Sequence, residues 1–175
     1  MQPQRKLIYS GRIVELVVDT IEVNGREAVR EVVKHPGGVV ILVETEDGQI
    51  PFVRQTRYPL GKPLLELPAG KLDPGEQPAT SAARELEEET GLRPICLKHV
   101  FSFYSSPGFC TEILHLFYTN RFERTTSNFD HDEDIVVEYF SLDEALEMCR
   151  SGQIVDGKTM LALYWLRDQR ASAGE

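Results

Sequence analysis

Through the first fifth of the chain, apolar and polar positions alternate with a period of two. Lys6–Ser10, Arg12–Asp19, Thr20–Val23 and Glu27–Lys34 all read as short strands. Asn24-Gly25 between two alternating runs predicts a tight hairpin. An arm of this size has too little apolar surface for a core of its own, so it is expected to pack on the remainder or on a second copy. Gly37-Gly38 opens the main body. Val39–Val43 is an apolar run fit for a buried strand, and Glu46-Asp47-Gly48 turns it into Gln49–Arg54. Leu64–Leu67 is another short strand, stopped by Pro68-Ala69-Gly70. The period then lengthens. Pro78 suits a first helical position, Ala79–Thr90 is rich in helix formers, and Gly91 stands where a C-cap belongs. Strands are predicted at Ile95–Tyr104, Ile113–Asn120 and Ile135–Phe140, and Ser141–Glu144 is a capping box for a short helix ending near Gly152. A last helix runs from about Gly157 to Gln169. The order is strands, one helix, strands, two helices. That predicts a mixed α/β sandwich over 37–175 with an antiparallel arm over 1–36, and not a βαβ repeat.

A length of 175 residues fits one domain with an added arm. The net charge of −9 argues against a binder of nucleic acid or anionic membrane, because phosphate neutralisation needs Lys and Arg. An acidic chain still handles a polyanion when a metal ion intervenes. Cys96, Cys110 and Cys149 form no CxxC pair and are odd in number, which points to free thiols in a reducing compartment. The polar start Met1–Lys6 leads into no apolar signal segment, and no run approaches the roughly 20 apolar residues of a membrane span. A cytoplasmic protein is expected.

The informative stretch is Gly70–Glu76 followed by Arg84–Leu92. Glu85, Glu88 and Glu89 are three and four residues apart and so share one helix face. Like charges so placed repel by a few tenths of a kcal/mol per pair, about 0.2–0.5. A Glu run alone is most often a solvated face. A Mg²⁺ ion would resolve the repulsion, since it takes hard oxygen ligands and accepts phosphate oxygens beside them. Arg84 can pin the preceding loop to the helix, with Glu76 and Glu88 as candidate partners.

Gly70, Glu76, Arg84-Glu85-Leu86, Glu88-Glu89 and Gly91-Leu92 match all nine specified positions of the Nudix box over residues 70–92. The chain is thereby identified as resembling the Nudix hydrolases, and the element order resembles their α/β/α sandwich with a mixed sheet, here preceded by the arm. The resemblance implies divalent-cation-dependent hydrolysis of a nucleoside diphosphate linked to another moiety, with Mg²⁺ as the usual ion and Mn²⁺ as a substitute. It implies Glu85, Glu89 and the Ala69 carbonyl as metal ligands, Glu88 in support of the metal shell, and Arg84 orienting the carboxylates.

Ser106-Pro107-Gly108 places a proline 15 residues after Leu92. That spacing, the arm and Phe52–Leu60 resemble the ADP-ribose pyrophosphatase branch. Arg57 then corresponds to an arginine that meets the pyrophosphate, the alternative being a surface arginine at a strand end. Lys71, within the box, joins the substrate-binding set. Arg30-Glu31 resembles a pair contributing to the nucleoside pocket across a homodimer interface; the alternative is a cross-strand ion pair. Ser106, Gly108 and Glu112 fall where the branch contacts the ribose region, Glu112 being alternatively a surface acid. In the acidic loop Asp130–Asp134, Glu133 matches a metal-ligating position, while His131 stands where relatives carry the base. The base is therefore open between Glu133, His131 and Glu88. His35, His99 and His115 read as structural, and Trp165 as packing rather than a base platform. The expected reaction is cleavage of ADP-ribose to AMP and ribose 5-phosphate. GDP-mannose or another nucleoside diphosphate sugar is the alternative substrate, and a silent Nudix-fold ligand sensor the alternative class.

Overall fold

The structure is a computed structural model and describes residues 4–127 and 134–173. β1 (Gln4–Ser10), β2 (Glu15–Val23) and β3 (Arg26–Lys34) form an antiparallel sheet. Asn24 and Gly25 turn β2 into β3 with φ of 53° and 75°. Two positive φ values match the twist of a tight hairpin, which is why Asn-Gly occupies the turn. The runs Arg12–Asp19 and Thr20–Val23 join into one strand from Glu15 onward, because every residue of Glu15–Val23 pairs in register with β3, while Arg12–Val14 stay outside it.

The body begins with β4 (Gly38–Val43), β5 (Gln49–Arg57), β6 (Lys62–Glu66), β7 (Ala69–Lys71) and helix α1 (Pro78–Thr90). It continues through β8 (Leu92–Pro94), β9 (Lys98–Tyr104), β10 (Ile113–Thr119), β11 (Phe122–Arg124) and β12 (Ile135–Ser141), ending in α2 (Leu142–Ser151) and α3 (Gly157–Ala173). A mixed sheet runs β7-β4-β10-β9, with β4 and β10 parallel, and a second runs β12-β5-β6. β8 and β11 make a short pair. Alternation along β4 divides the core. Val39, Ile41 and Val43 pack with Ala82 and Leu86 of α1, while Val40 and Leu42 pack with Phe52, Leu146 and Leu163 on the α2–α3 side. The result is an α/β/α sandwich. Among the described residues no helix is long and apolar enough to cross a membrane.

Pro68-Ala69-Gly70 is not the plain stop that the sequence suggests. Leu67 and Pro68 alone interrupt the strands; Ala69–Lys71 resumes as β7, pairing Val40 with Ala69 and Val39 with Gly70. Pro68 is therefore the corner at which the chain leaves one sheet for the other. The strand expected from Ile95 starts at Lys98, because Leu92–Pro94 is drawn away to pair with β11. The helix ends agree with the expected chemistry. Gly91 at φ 68° returns its N–H to the Glu87 carbonyl, and the Ser141–Glu144 box is closed in both directions. The arm is tied to the body by Val33 N–H donating to Phe109 O (2.8 Å) and Thr111 N–H donating to Val33 O (2.9 Å).

Candidate active site

α1 presents its carboxylates to β7 through one arginine. Arg84 Nη1 donates to Glu85 Oε1 at 2.8 Å and to Glu88 Oε2 at 3.0 Å. Its other edge donates from Nε and Nη2 to the two Glu76 oxygens at 3.2 and 3.0 Å. A single guanidinium thus locks the loop before the helix onto the helix face. Its planar fork makes that possible where an ammonium would not. The Glu76 bonds, and after them the charge of Glu85, hold Arg84 still further above its ordinary pKa. In return the Arg84 bond holds Glu76 below the usual carboxylate range.

Glu89, 4% exposed, accepts the Ala69 N–H at its Oε2 (3.1 Å). That bond fixes the peptide whose other neighbour, Gly70, lies against Glu85. A Cβ added at Gly70 would stand 1.8 Å from Glu85 Cδ. The glycine is required because the Glu85 carboxylate occupies the space of a side chain. Glu88 is the open member of the group, its side chain 41% exposed against 16% for Glu85. The side chains here offer only hard oxygens, two enclosed carboxylates and one open one, beside a β7 backbone whose Ala69 N–H is held by Glu89. They suit Mg²⁺, which is commonly held by one or two carboxylates together with waters and substrate phosphates. Among the described residues no three His, Cys, Asp or Glu side chains converge closely enough to hold an ion by themselves.

These groups line a cavity of about 890 Å³, within the roughly 300–1,000 Å³ typical of small-molecule sites. Ala69, Lys71, Arg84, Glu85, Glu88 and Glu89 line it, as do Arg57, Asp156 and Lys158. Arg57 grips Glu66 with Nε and Nη2 at 2.7 and 2.8 Å. Glu66 is 1% exposed and is bonded to the Lys158 ammonium as well. Burial pushes the Glu66 carboxyl up, but the Arg57 bonds and the Lys158 charge bring it below its ordinary value. Ile13 from the arm, Phe103, Tyr104 and Leu161 add an apolar part.

Of the residues singled out in the sequence, the structure brings Arg57, Ala69, Lys71, Arg84, Glu85, Glu88, Glu89 and Glu112 to this one cavity. Arg30, Glu31, Ser106 and Gly108 do not line it. Arg30 lies on the exposed arm and donates to its neighbour's carbonyl, Val29 O, at 2.9 Å. The facing Asp19 pairs instead with Arg5, whose Nε and Nη2 donate to its two oxygens at 2.7 Å each. Asp130, His131, Asp132 and Glu133 lie outside the described residues. Glu112 approaches His35 Nδ1 at 3.4 Å, and that nitrogen also accepts the Gly37 N–H at 3.1 Å. His99 and His115 sit either side of Ser102 Oγ at 3.0 and 2.7 Å on β9 and β10. Trp165 packs edge-on to Tyr118 at 5.6 Å. Glu66, Asp156 and Lys158 were not singled out. Their only signal is a charged residue inside an apolar strand, Glu66 in Leu64–Leu67, and an Asp three residues before a Thr at a helix start.

Comparison with known proteins gives a consistent picture. The NUDIX domain model matches residues 34–162. An ADP-ribose pyrophosphatase of Bacillus subtilis (strain 168) is 41% identical over 170 residues, covering 95% of this chain and 92% of that protein. A methanol dehydrogenase activator of Bacillus methanolicus is 42% identical over 167 residues, covering 94% and 90%. The crystal structure of an ADP compounds hydrolase superposes with a TM-score of 0.85 over 99% of this chain and 97% of the other, at 17% identity, a likeness of fold.

Proposed function

The chain belongs to the Nudix family, and from that premise we propose that it hydrolyses the pyrophosphate bond of ADP-ribose to AMP and ribose 5-phosphate, with Mg²⁺ as its metal. The observation that carries the reading is that the Arg84-locked carboxylates and the Arg57 guanidinium line one cavity of about 890 Å³. Near-complete alignment with a relative named ADP-ribose pyrophosphatase supports the choice of substrate.

Glu85, Glu89 and the Ala69 carbonyl would hold the metal, with Glu88 beside them. An Mg²⁺ ion held by these groups would supply charge to offset the phosphates and would lower the pKa of a bound water. The remaining work falls to the chain. Arg84 keeps Glu85 and Glu88 from drifting apart, and Glu76 keeps Arg84 in place. Arg57 offers a planar donor to phosphate oxygens, and charge-assisted bonds of that type are the strong ones. The proton of the attacking water would go to one of three groups, the open Glu88, Glu133 or His131. The apolar residues Ile13, Phe103 and Tyr104 form a surface suited to the nucleoside.

A homodimer belongs to the same proposal. β1 is exposed along its whole length, with Leu7 and Tyr9 at 56% and 58%, and Val29 of β3 is at 55%. A three-stranded arm with this much bare apolar surface fits a partner copy. In that arrangement Arg30 and Glu31 would meet the partner's cavity rather than their own. The three free cysteines suit a reducing cytoplasm.

The test is phosphate release, through a coupled phosphatase, from ADP-ribose, GDP-mannose and ADP-glucose with and without Mg²⁺. Preferential Mg²⁺-dependent turnover of ADP-ribose is expected, abolished in E85A and E89A. Preference for GDP-mannose would replace the substrate, and tight binding without turnover would replace the enzyme by a sensor. Light scattering that finds only monomer at micromolar concentration would remove the shared-site roles of Arg30 and Glu31.

A further inference from the structure

Part of the cavity wall is built on a carboxylate that does not itself line the cavity. Glu66 lies behind the wall, and its partners Arg57 and Lys158 form the surface in front of it. A buried carboxylate needs a partner, and Arg57 already supplies a bidentate one. Lys158 is a second cation on the same carboxylate, shared with Asp156, so that two cations and two carboxylates form one cluster at the cavity. Lys158 is brought there from the start of α3 and is fixed at both ends. Its ammonium meets Asp156 Oδ1 at 3.0 Å. The other Asp156 oxygen caps α3 by accepting Thr159 N–H and Oγ1–H at 3.0 and 2.6 Å. Thr159 Oγ1 in turn accepts the Leu67 N–H at 2.9 Å, locking α3 to the end of β6. An ammonium carries three donors. Glu66 and Asp156 take two, which leaves one for the cavity that Lys158 lines.

We infer that Lys158 is a second phosphate-contacting cation beside Arg57, and that Glu66 is the positioning residue that holds the two side by side. The pair lines the same cavity as the carboxylates of α1, and the Glu89 charge is felt at Arg57, so a pyrophosphate held at those carboxylates would have protein cations within the same cavity. The inference rests on the reading of the site as one for nucleoside diphosphates.

Wild type, K158M, K158R, E66Q and the double variant E66Q/K158M should be compared by steady-state kinetics on ADP-ribose with Mg²⁺, by titration calorimetry with inorganic pyrophosphate and Mg²⁺, and by thermal melting. K158M is expected to raise KM about tenfold or more while kcat stays within about threefold, as for loss of a contact made equally in ground and transition states. Pyrophosphate affinity should fall by a similar factor, and K158R should recover most of both. E66Q should raise KM although both cations remain, and adding K158M to it should cost little more, because the lysine has already lost its position. Unchanged KM and pyrophosphate affinity in K158M overturn the proposal, and so does a lowered melting temperature with KM unchanged. A wild-type chain that binds pyrophosphate through Lys158 yet leaves ADP-ribose intact keeps the cation pair and removes the ADP-ribose reading instead.

Discussion

Replacing Gly70 by Ala isolates the position of one carboxylate. The new Cβ would lie 1.8 Å from Glu85 Cδ and 2.0 and 2.3 Å from its two oxygens, where ordinary contact begins near 3.4 Å. Glu85 must then withdraw by about 1.6 Å, the difference of those two distances. Gly70 is not among the glycines of positive φ, so its backbone accepts alanine without strain. At such a position Gly→Ala stabilises by about 0.4–1 kcal/mol through the unfolded chain. Against this stands the 2.8 Å Arg84–Glu85 pair, partly exposed and worth about 0–1 kcal/mol. The two nearly cancel, and the melting temperature should hold within a few degrees. Activity should not hold. Displacing a metal-holding group by more than 1 Å costs about 10²-fold in rate, or about 2.7 kcal/mol of transition-state stabilisation. The assay is ADP-ribose turnover over a Mg²⁺ titration, with a circular dichroism melt alongside. Wild-type turnover with an unshifted Mg²⁺ curve in G70A would refute the role given to Glu85, and a collapsed melt would show that Gly70 serves the fold instead.

Three further outcomes follow from the same contacts. Burial raises the Glu66 carboxyl, but Arg57 and Lys158 outweigh it and lower the folded-state pKa. The ionised form is therefore favoured in the native state, and its stabilisation is complete above the unfolded value near about 4.3 and drains away as pH falls through the lowered one. Acid unfolding followed by circular dichroism should begin below about pH 4, and R57M should move its midpoint upward; an unmoved midpoint would count against the coupling. S141A removes the hydroxyl that accepts the Glu144 N–H at 3.3 Å, and denaturant melts should show a loss of about 1 kcal/mol with kcat/KM unchanged. L86A empties a fully buried position between α1 and β4; a loss of about 2–5 kcal/mol is expected, and one below 1 would mean that the helix settles into the space.

The parts of the fold legible in the sequence were those whose causes are local. Asn24-Gly25, Pro78, Gly91 and the Ser141–Glu144 box each act within four residues, and each marks the turn or helix end expected of it. β7 was hidden because its pairing with β4 is set by tertiary contact, and Pro68 looks like an end from one side only. β8 and β11 are three residues each, too short for any periodicity to register. The same division holds at the cavity. The carboxylate face of α1 follows from spacing alone, and the loop-to-helix clasp of Arg84 on Glu76 spans eight residues. Glu66 and Lys158 stand 92 residues apart, a separation at which a lysine has no sequence signature that distinguishes it from a surface charge.

That separation also orders the assembly of the chain. The arm hairpin can close as soon as its two strands exist, since β2 and β3 are joined by two residues. Local closures of this kind are fast, and pairings distant in sequence are slow. Glu66 sits in a strand made early, yet one of its two cations and the hydroxyl that receives Leu67 N–H both arrive with α3. The same helix brings Ala162, Leu163 and Leu166 to the core. Until the C-terminal helix has emerged from the ribosome and docked, the nascent body holds an under-compensated carboxylate next to an open apolar face. A chain cut short before α3 should therefore be a target for chaperones and proteases rather than a smaller working enzyme.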